Sequence, residues 1–297
     1  MNHISNGRPA PSSGPTPVCV RSWLWASALN ARLSAKAVEA SADVVAFDLE
    51  DAVLPHLKAQ ARETVVECLG TRRTIATAVR INPLGTLEGL RDLVRLVETR
   101  RMPDILVLSK PDLRAHLEIA SAVLDEAGLA VRLYPTIESP RALWELARID
   151  SGPPMLSGVV FGSADFSSEM GVEQGEADLR HVRREIALHS QRLGIAAVDA
   201  PCFAVGDDQA MARECLDARR LGYIGKVAIH PSQVDPINRA FTPSTEQAQL
   251  ARALLEASES QAQSATFLFR DRMVGPPFVK HARRVCAHFD ALNERIR

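Results

Sequence analysis

The sequence predicts an α/β protein of the (β/α)8 TIM-barrel class, and three observations carry that prediction. Eight short apolar runs alternate with helix-period stretches along the chain. The runs are near-continuous in Val, Ile, Leu and Ala, as in parallel strands buried on both faces. The 297 residues accommodate one barrel of roughly 250 residues plus an extension. An open doubly wound sheet would place a glycine-rich phosphate turn after its first strand, and Ala26-Ser27-Ala28 stands there instead.

The predicted strands are residues 18–25, 44–50, 75–82, 104–110, 131–138, 158–166, 196–201 and 225–230. Between the sixth and seventh, Leu179, Val182, Ile186 and Leu193 share one face of a helix that ends near Gly194, a residue suited to a helix C-terminus. Asp207 and Asp208 stand where an N-cap would start the next helix. Beyond the eighth strand the rhythm changes. Ser244 is an N-cap candidate for a helix reaching about residue 260. A strand-like run (265–269), a turn (272–275) and a last helix (277–297) follow. The organisation read from this is a disordered tail (1–17), a barrel domain (18–241) and a C-terminal helical extension (242–297) that packs on the barrel or on a neighbouring subunit.

Composition narrows the function. The formal net charge of −1 gives no basic field to attract nucleic acid. No apolar run approaches the ~18 residues of a membrane span, and the first 17 residues lack the apolar centre of a secretory signal. Five scattered cysteines without a C-x-x-C pair predict reduced thiols and a cytoplasmic setting.

Reactive residues of such barrels sit at the C-terminal ends of strands. The predicted ends carry Asp48, Glu50 and Asp51, then Arg80 and Asn82, Lys110, Glu138, Asp165 and His230. A purely structural strand would end apolar. Glu138 and Asp165 close successive strands, about 5 Å apart laterally. Two carboxylates that close repel unless a cation lies between them, and oxygen-only donors favour Mg²⁺. Each acid could instead cap its following helix. Arg80 is a planar fork matched to a carboxylate, or a barrel-mouth ion pair with Asp48 or Glu50. Lys58 and Arg62 lie one helical turn apart and could face phosphates, or remain surface charges.

Together these segments resemble the citrate lyase β-subunit/malyl-CoA lyase family of the HpcH/HpaI aldolase superfamily. The residues that carry the resemblance are Arg21-Ser22, Phe47 through Val53 (FDLEDAV), Lys58 with Ala61-Arg62, and Val79-Arg80-Ile81-Asn82. Thr136 through Ser139, Phe161-Gly162 with Asp165, Gly225-Lys226 and Ile229-His230-Pro231 complete it. Asp48 and Glu50 share a strand face and are catalytic candidates that could hold metal-bound waters or orient Arg80, or form a solvated acidic turn. The resemblance implies Glu138 and Asp165 as Mg²⁺ ligands and Arg80 as the clamp on a keto-acid carboxylate. It implies Arg21, Lys58 and Arg62 along the thioester and phosphate side of an acyl-CoA or acyl-carrier substrate, in a homotrimer or hexamer. The implied reaction cleaves a malyl-, citramalyl- or citryl-CoA type thioester to acetyl-CoA and a keto acid. Family members carry an acid/base Asp in the C-terminal tail. Gly275 stands at that position here, with Asp271 as the nearest substitute. Two other readings stay open: an aldolase on a free hydroxy keto acid, and a CoA-ester-binding subunit or thioesterase without lyase turnover. The aldolase branch carries a histidine base where this chain has Asp51.

Overall fold

The computed structural model describes residues 20–30, 32–71, 75–261 and 264–296. The expected tail and the first two residues of the first predicted strand lie outside them. Eight strands close a parallel barrel in sequence order: β1 (Ser22–Ser27), β2 (Val44–Asp48), β3 (Ala76–Ile81), β4 (Ile105–Leu108), β5 (Arg132–Ile137), β6 (Gly158–Phe161), β7 (Ala196–Asp199) and β8 (Gly225–Ala228). Closure is shown by β1, which pairs with β2 on one side and β8 on the other. The surrounding helices are α1 (Leu33–Glu39), α2 (Lys58–Leu69), α3 (Leu87–Thr99), α4 (Leu113–Glu126), α5 (Pro140–Arg148), α6 (Ser163–Glu169), α7 (Arg180–Leu193), α8 (Asp208–Leu221) and α9 (Val234–Phe241). The chain ends in α10 (Thr245–Ser260), a hairpin of β9 (Phe267–Phe269) and β10 (Arg272–Val274), and α11 (Pro276–Ile296).

Two apolar layers follow from the period-two alternation of side chains along each strand. Leu24, Val45, Phe47, Val79, Ile81 and Leu106 point outward into the layer shared with the helices. Trp23, Trp25, Ala46, Ile105, Tyr134 and Val160 fill the barrel interior. The interior is tightly filled: Trp23 and Tyr134 rings meet at 5.3 Å, and a β-carbon on Gly158 would fall 2.2 Å from Tyr134. Polar residues tie the outer layer. Lys226, wholly buried, reaches Asp199 at 2.7 Å and Glu214 at 2.8 Å, joining β8 to β7 and α8.

The helix termini behave as their sequences predict. Gly194 takes the left-handed conformation (φ 71°) after α7, and Asp207 caps α8 through the Ala210 N–H. Ser244 and Gln247 form a reciprocal capping box on α10. Elsewhere the structure corrects the reading. The strands are shorter than the apolar runs, so Glu50, Asn82, Lys110, Glu138 and His230 lie just beyond them. Asp165 does not end the sixth strand; Gly162 stops β6 and Asp165 sits in the first turn of α6, where the helix dipole favours an acid. The hairpin turn is Arg270-Asp271, not residues 272–275. Both turn residues have positive φ (45° and 60°), the two-residue turn that suits hairpin twist. Residues Arg272–Val274 are therefore free to pair with β9.

The extension lies at the N-terminal end of its own barrel. Tyr223 and Ile224, just before β8, line a cavity of about 750 Å³ with Phe241, Leu250, Phe269 and Phe278. Among the described residues, no acidic side chain lines it. Charged residues beyond the strands line a second, smaller cavity at the opposite end.

Candidate active site

The C-terminal ends of the strands open into a cavity of about 390 Å³. Asp48, Asp51, Arg80, Thr136, Glu138 and Asp165 line it. The register explains why Asp48 and Arg80 meet: they are direct partners across β2 and β3. Arg80 places Nε 2.7 Å from Asp48 Oδ1 and Nη2 2.5 Å from Oδ2. Its Nη1 lies 2.8 Å from Glu50 Oε2. The ion pair envisaged for Arg80 is thus real. With five N–H groups on the guanidinium, the two given to Asp48 leave three, and Arg80 remains on the cavity wall. The other lone pairs of Asp48 accept the Glu50 and Ala52 N–H groups as the chain leaves β2. Asp48 therefore fixes both the guanidinium and the turn that presents Glu50 and Asp51.

Glu138 is fixed by a different pair of donors. Thr136, two residues earlier on the same strand face, donates its hydroxyl to Oε1 at 2.6 Å. The Lys110 N–H donates to the same oxygen. Oε2 makes no hydrogen bond among the described residues, and a β-carbon on Gly162 would stand only 2.9 Å from it. Burial pushes the Glu138 carboxyl above its ordinary range. The Thr136 and Lys110 hydrogen bonds and Arg80 oppose that shift, and the Asp165 charge adds to it. Glu138 and Asp165 line the same cavity, and the Asp165 charge acts on the Glu138 carboxyl more weakly than burial does.

Lys110 is the residue that sequence reasoning left without a role. Its backbone is left-handed (φ 41°), an uncommon conformation for a side-chain-bearing residue that concentrates at functional sites. Its ammonium donates to Glu50 Oε1, lies 3.0 Å from Asp51 Oδ1 and reaches within 3.7 Å of Asp165 Oδ1. Burial opposes its charge, but the hydrogen bonds to Glu50 and Asp51 outweigh burial and hold its pKa above the usual lysine value. Burial raises Glu50 to about 7, against the pull of Arg80 and Lys110. Glu50 itself does not line the cavity; Asp51 does. The left-handed φ of Lys110 could not be read from residue type. The T-x-E spacing of Thr136 and Glu138 could have been.

Three expected substrate-side residues are placed elsewhere. Arg21 precedes β1 and pairs with Asp43, which precedes β2, at 2.8 Å; it also donates to Thr242. That is the N-terminal end of the barrel, about 16 Å of strand below Asp48, because Arg21 enters β1 rather than leaving it. Arg62 is buried between α2 and α3, its Nε 2.7 Å from Asp92 and its Nη2 2.5 Å from Glu88. Its charge is matched by these acids rather than offered to a phosphate. Lys58 donates to the Leu49 and Glu50 carbonyls at 2.8 and 2.6 Å, bracing the acidic turn. Asp271, at the exposed hairpin tip, does not line this cavity, and neither does any described residue of the extension.

The donor set fits a hard cation. Five carboxyl groups (Asp48, Glu50, Asp51, Glu138, Asp165) meet two cations, Arg80 and Lys110. Among the described residues no group of three or more His, Cys, Asp or Glu side chains forms a metal cage. Mg²⁺ needs none, since it binds through one or two carboxylates and fills its remaining positions with water and substrate oxygens.

Comparison with known proteins agrees with this geometry. Residues 21–231 match the sequence profile of the HpcH/HpaI aldolase/citrate lyase family. The chain is 30% identical to a citrate lyase subunit beta-like protein of Deinococcus radiodurans, over 92% of this chain and 98% of that one. It is 30% identical to the L-malyl-CoA/beta-methylmalyl-CoA lyase of Cereibacter sphaeroides, over 93% and 95%. Among solved structures it resembles CitE of Mycobacterium tuberculosis in complex with magnesium, acetoacetate and coenzyme A. That match has a TM-score of 0.76 and 29% identity, over 91% of this chain and 98% of that one.

Proposed function

Because the chain belongs to the HpcH/HpaI aldolase/citrate lyase family, we propose that it is a Mg²⁺-dependent carbon–carbon lyase that cleaves a 3-hydroxyacyl-CoA of the malyl, citramalyl or citryl type to acetyl-CoA and a keto acid. The observation that carries this reading is the convergence of Glu138, Asp165 and Arg80 on one cavity wall. Glu138 and Asp165 would hold the ion. Bound there, Mg²⁺ would polarise the oxygen that becomes the keto carbonyl.

The chain's own residues supply the rest. Arg80, held in place by Asp48, offers its remaining N–H groups to the carboxylate of the keto-acid part. Thr136 Oγ1 and the Lys110 N–H keep Glu138 Oε1 occupied and so leave Oε2 for the ion. Glu50 acts through its partners, fixing Lys110 and Arg80 on either side. The departing acetyl-CoA carbanion requires a proton at its α-carbon. Asp51, on the cavity wall and kept below its usual carboxylate range, despite burial, by Glu50, Lys110 and Arg80, would take the proton of the substrate's hydroxyl as the carbon–carbon bond breaks and return it to that α-carbon. Asp271 serves only if a second copy brings its hairpin tip to this mouth. The cross-strand pair Leu268 and Met273 is 61% and 64% exposed, which supports packing of the extension on another copy in a homotrimer or hexamer.

A coupled assay with malyl-, citramalyl- and citryl-CoA in the presence of Mg²⁺ tests the proposal. Release of acetyl-CoA from one of them, abolished in Glu138→Gln, is the expected result. Tight binding of all three without product over hours would sink lyase turnover. It would favour a CoA-ester-binding subunit, the reading that Gly275 supports.

A further inference from the structure

The wall of the upper cavity contains a hydrogen-bond donor that the proposed chemistry has not used. The chain has three tryptophans, and their indole N–H groups stand in three different environments. Trp23 donates to the Val20 carbonyl at 3.3 Å. Trp144 lies on the outer face of α5, 58% exposed. Trp25, near the C-terminal end of β1, faces the barrel interior and is 8% exposed, and its Nε1–H is buried without a hydrogen-bond partner. A desolvated donor left unmade is costly and correspondingly rare, so such a group in a cavity wall points to an acceptor that arrives with the ligand.

Its surroundings say which acceptor. Trp25 lines the cavity together with Arg80, Glu138 and Asp165. The Arg80 guanidinium lies over the indole, 5.2 Å from the ring centroid, a cation–π contact that orients the fork. Trp25 and Arg80 thus share one stretch of the cavity wall.

We propose that the Trp25 indole N–H is a substrate-binding donor that takes an oxygen of the keto-acid part of the substrate beside Arg80. The inference rests on the lyase reading above and adds a specificity-determining residue to it. Phenylalanine at this position keeps an aromatic ring beside Arg80 and loses the donor together with part of the packed indole, so the resonance shift in the wild-type protein carries the test and the variant's affinity supports it.

The test labels the indole nitrogens with ¹⁵N, so that the protein gives three Nε1–H resonances. Trp25→Phe and Trp144→Phe assign them. Mg²⁺ with pyruvate, then with oxaloacetate, is titrated into the wild-type protein, with calorimetry in parallel to read binding. The expected result is a downfield shift of the Trp25 resonance while those of Trp23 and Trp144 hold still. Trp25→Phe should weaken keto-acid affinity about tenfold or more, the range of a hydrogen bond to a charged group, and leave Mg²⁺ affinity unchanged. Keto acid bound by calorimetry with an unmoved Trp25 resonance overturns the inference and leaves the lyase reading intact. If neither keto acid binds the wild-type protein, the lyase reading itself fails and this donor role falls with it.

Discussion

Replacing Gly162 with alanine inserts one methyl group between the start of α6 and the side chain of Glu138. The added carbon would stand 2.6 Å from Glu138 Cβ and 2.9 Å from Oε2, against about 3.5–4.0 Å for carbon atoms at rest. The roughly 1 Å deficit falls on Cβ, so rotating the carboxylate tip does not relieve it. Backbone strain is not the cause, because Gly162 has φ −102° and ψ 80°, a negative φ open to alanine. Glu138 must therefore tilt away and weaken its bonds to Thr136 and the Lys110 N–H. Disturbing the groups that orient a metal ligand costs about 10–100-fold in affinity, and overpacking a buried site costs about 1–3 kcal/mol of stability. Calorimetric titration of Mg²⁺, with a thermal melt of the same sample, reads both. A folded Gly162→Ala protein that binds Mg²⁺ as tightly as wild type would refute the assignment of Glu138 as a ligand held against Gly162.

Three further outcomes follow from the same geometry. Arg80→Lys keeps the charge and loses the fork, so kcat/KM should fall about 10²–10³-fold with Mg²⁺ affinity little changed; undiminished turnover would remove Arg80 from the chemistry. Arg62→Ala removes the cation paired with the buried Asp92 carboxylate and leaves it only its Asn82 donors, which should cost up to about 3–5 kcal/mol of stability without changing KM for a CoA ester. A tenfold rise in KM in a protein of unaltered stability would restore Arg62 as a phosphate contact. Glu50 titrates near 7 when folded and at 4.5 in the unfolded reference, so between those values the folded state binds the extra proton. Its contribution to stability is full below pH 4.5 and lost as pH rises to about 7. Glu50→Gln should flatten the fall of melting temperature across that window, and an identical slope in both proteins would contradict the assigned burial.

The barrel was legible in the chain because each run carries the doubly buried pattern that only a covered parallel sheet satisfies. The caps at Gly194, Asp207 and Ser244 were legible because each depends on a residue and its immediate neighbours. The site was legible as a set of residue types at strand ends, and Asp48, Arg80, Glu138 and Asp165 do share one cavity. What local pattern could not show was direction and partner. Arg21 reads as a cation near a strand, but it enters that strand, so it belongs to the far end of the barrel and to Asp43. Arg62 shares a helix face with Lys58, yet its partners, Glu88 and Asp92, come from another helix. The strand ends were overrun because residue type does not show where ladder pairing stops, and just beyond it backbone N–H groups are taken by carboxylates. The Lys110 N–H is held by Glu138 and the Glu50 N–H by Asp48. The hairpin turn was displaced because its left-handed residues are Arg270 and Asp271, not glycines.

The most direct test is a titration of Mn²⁺ followed by electron paramagnetic resonance, with the wild-type protein beside a Glu138→Gln/Asp165→Asn variant whose fold is checked by circular dichroism. Two carboxylates sharing one divalent ion predict a single saturable site per chain in the wild type, emptied by Mg²⁺ competition, and none in the variant. Equal Mn²⁺ binding in both proteins would show that the ion sits elsewhere and that this cavity is not the metal centre.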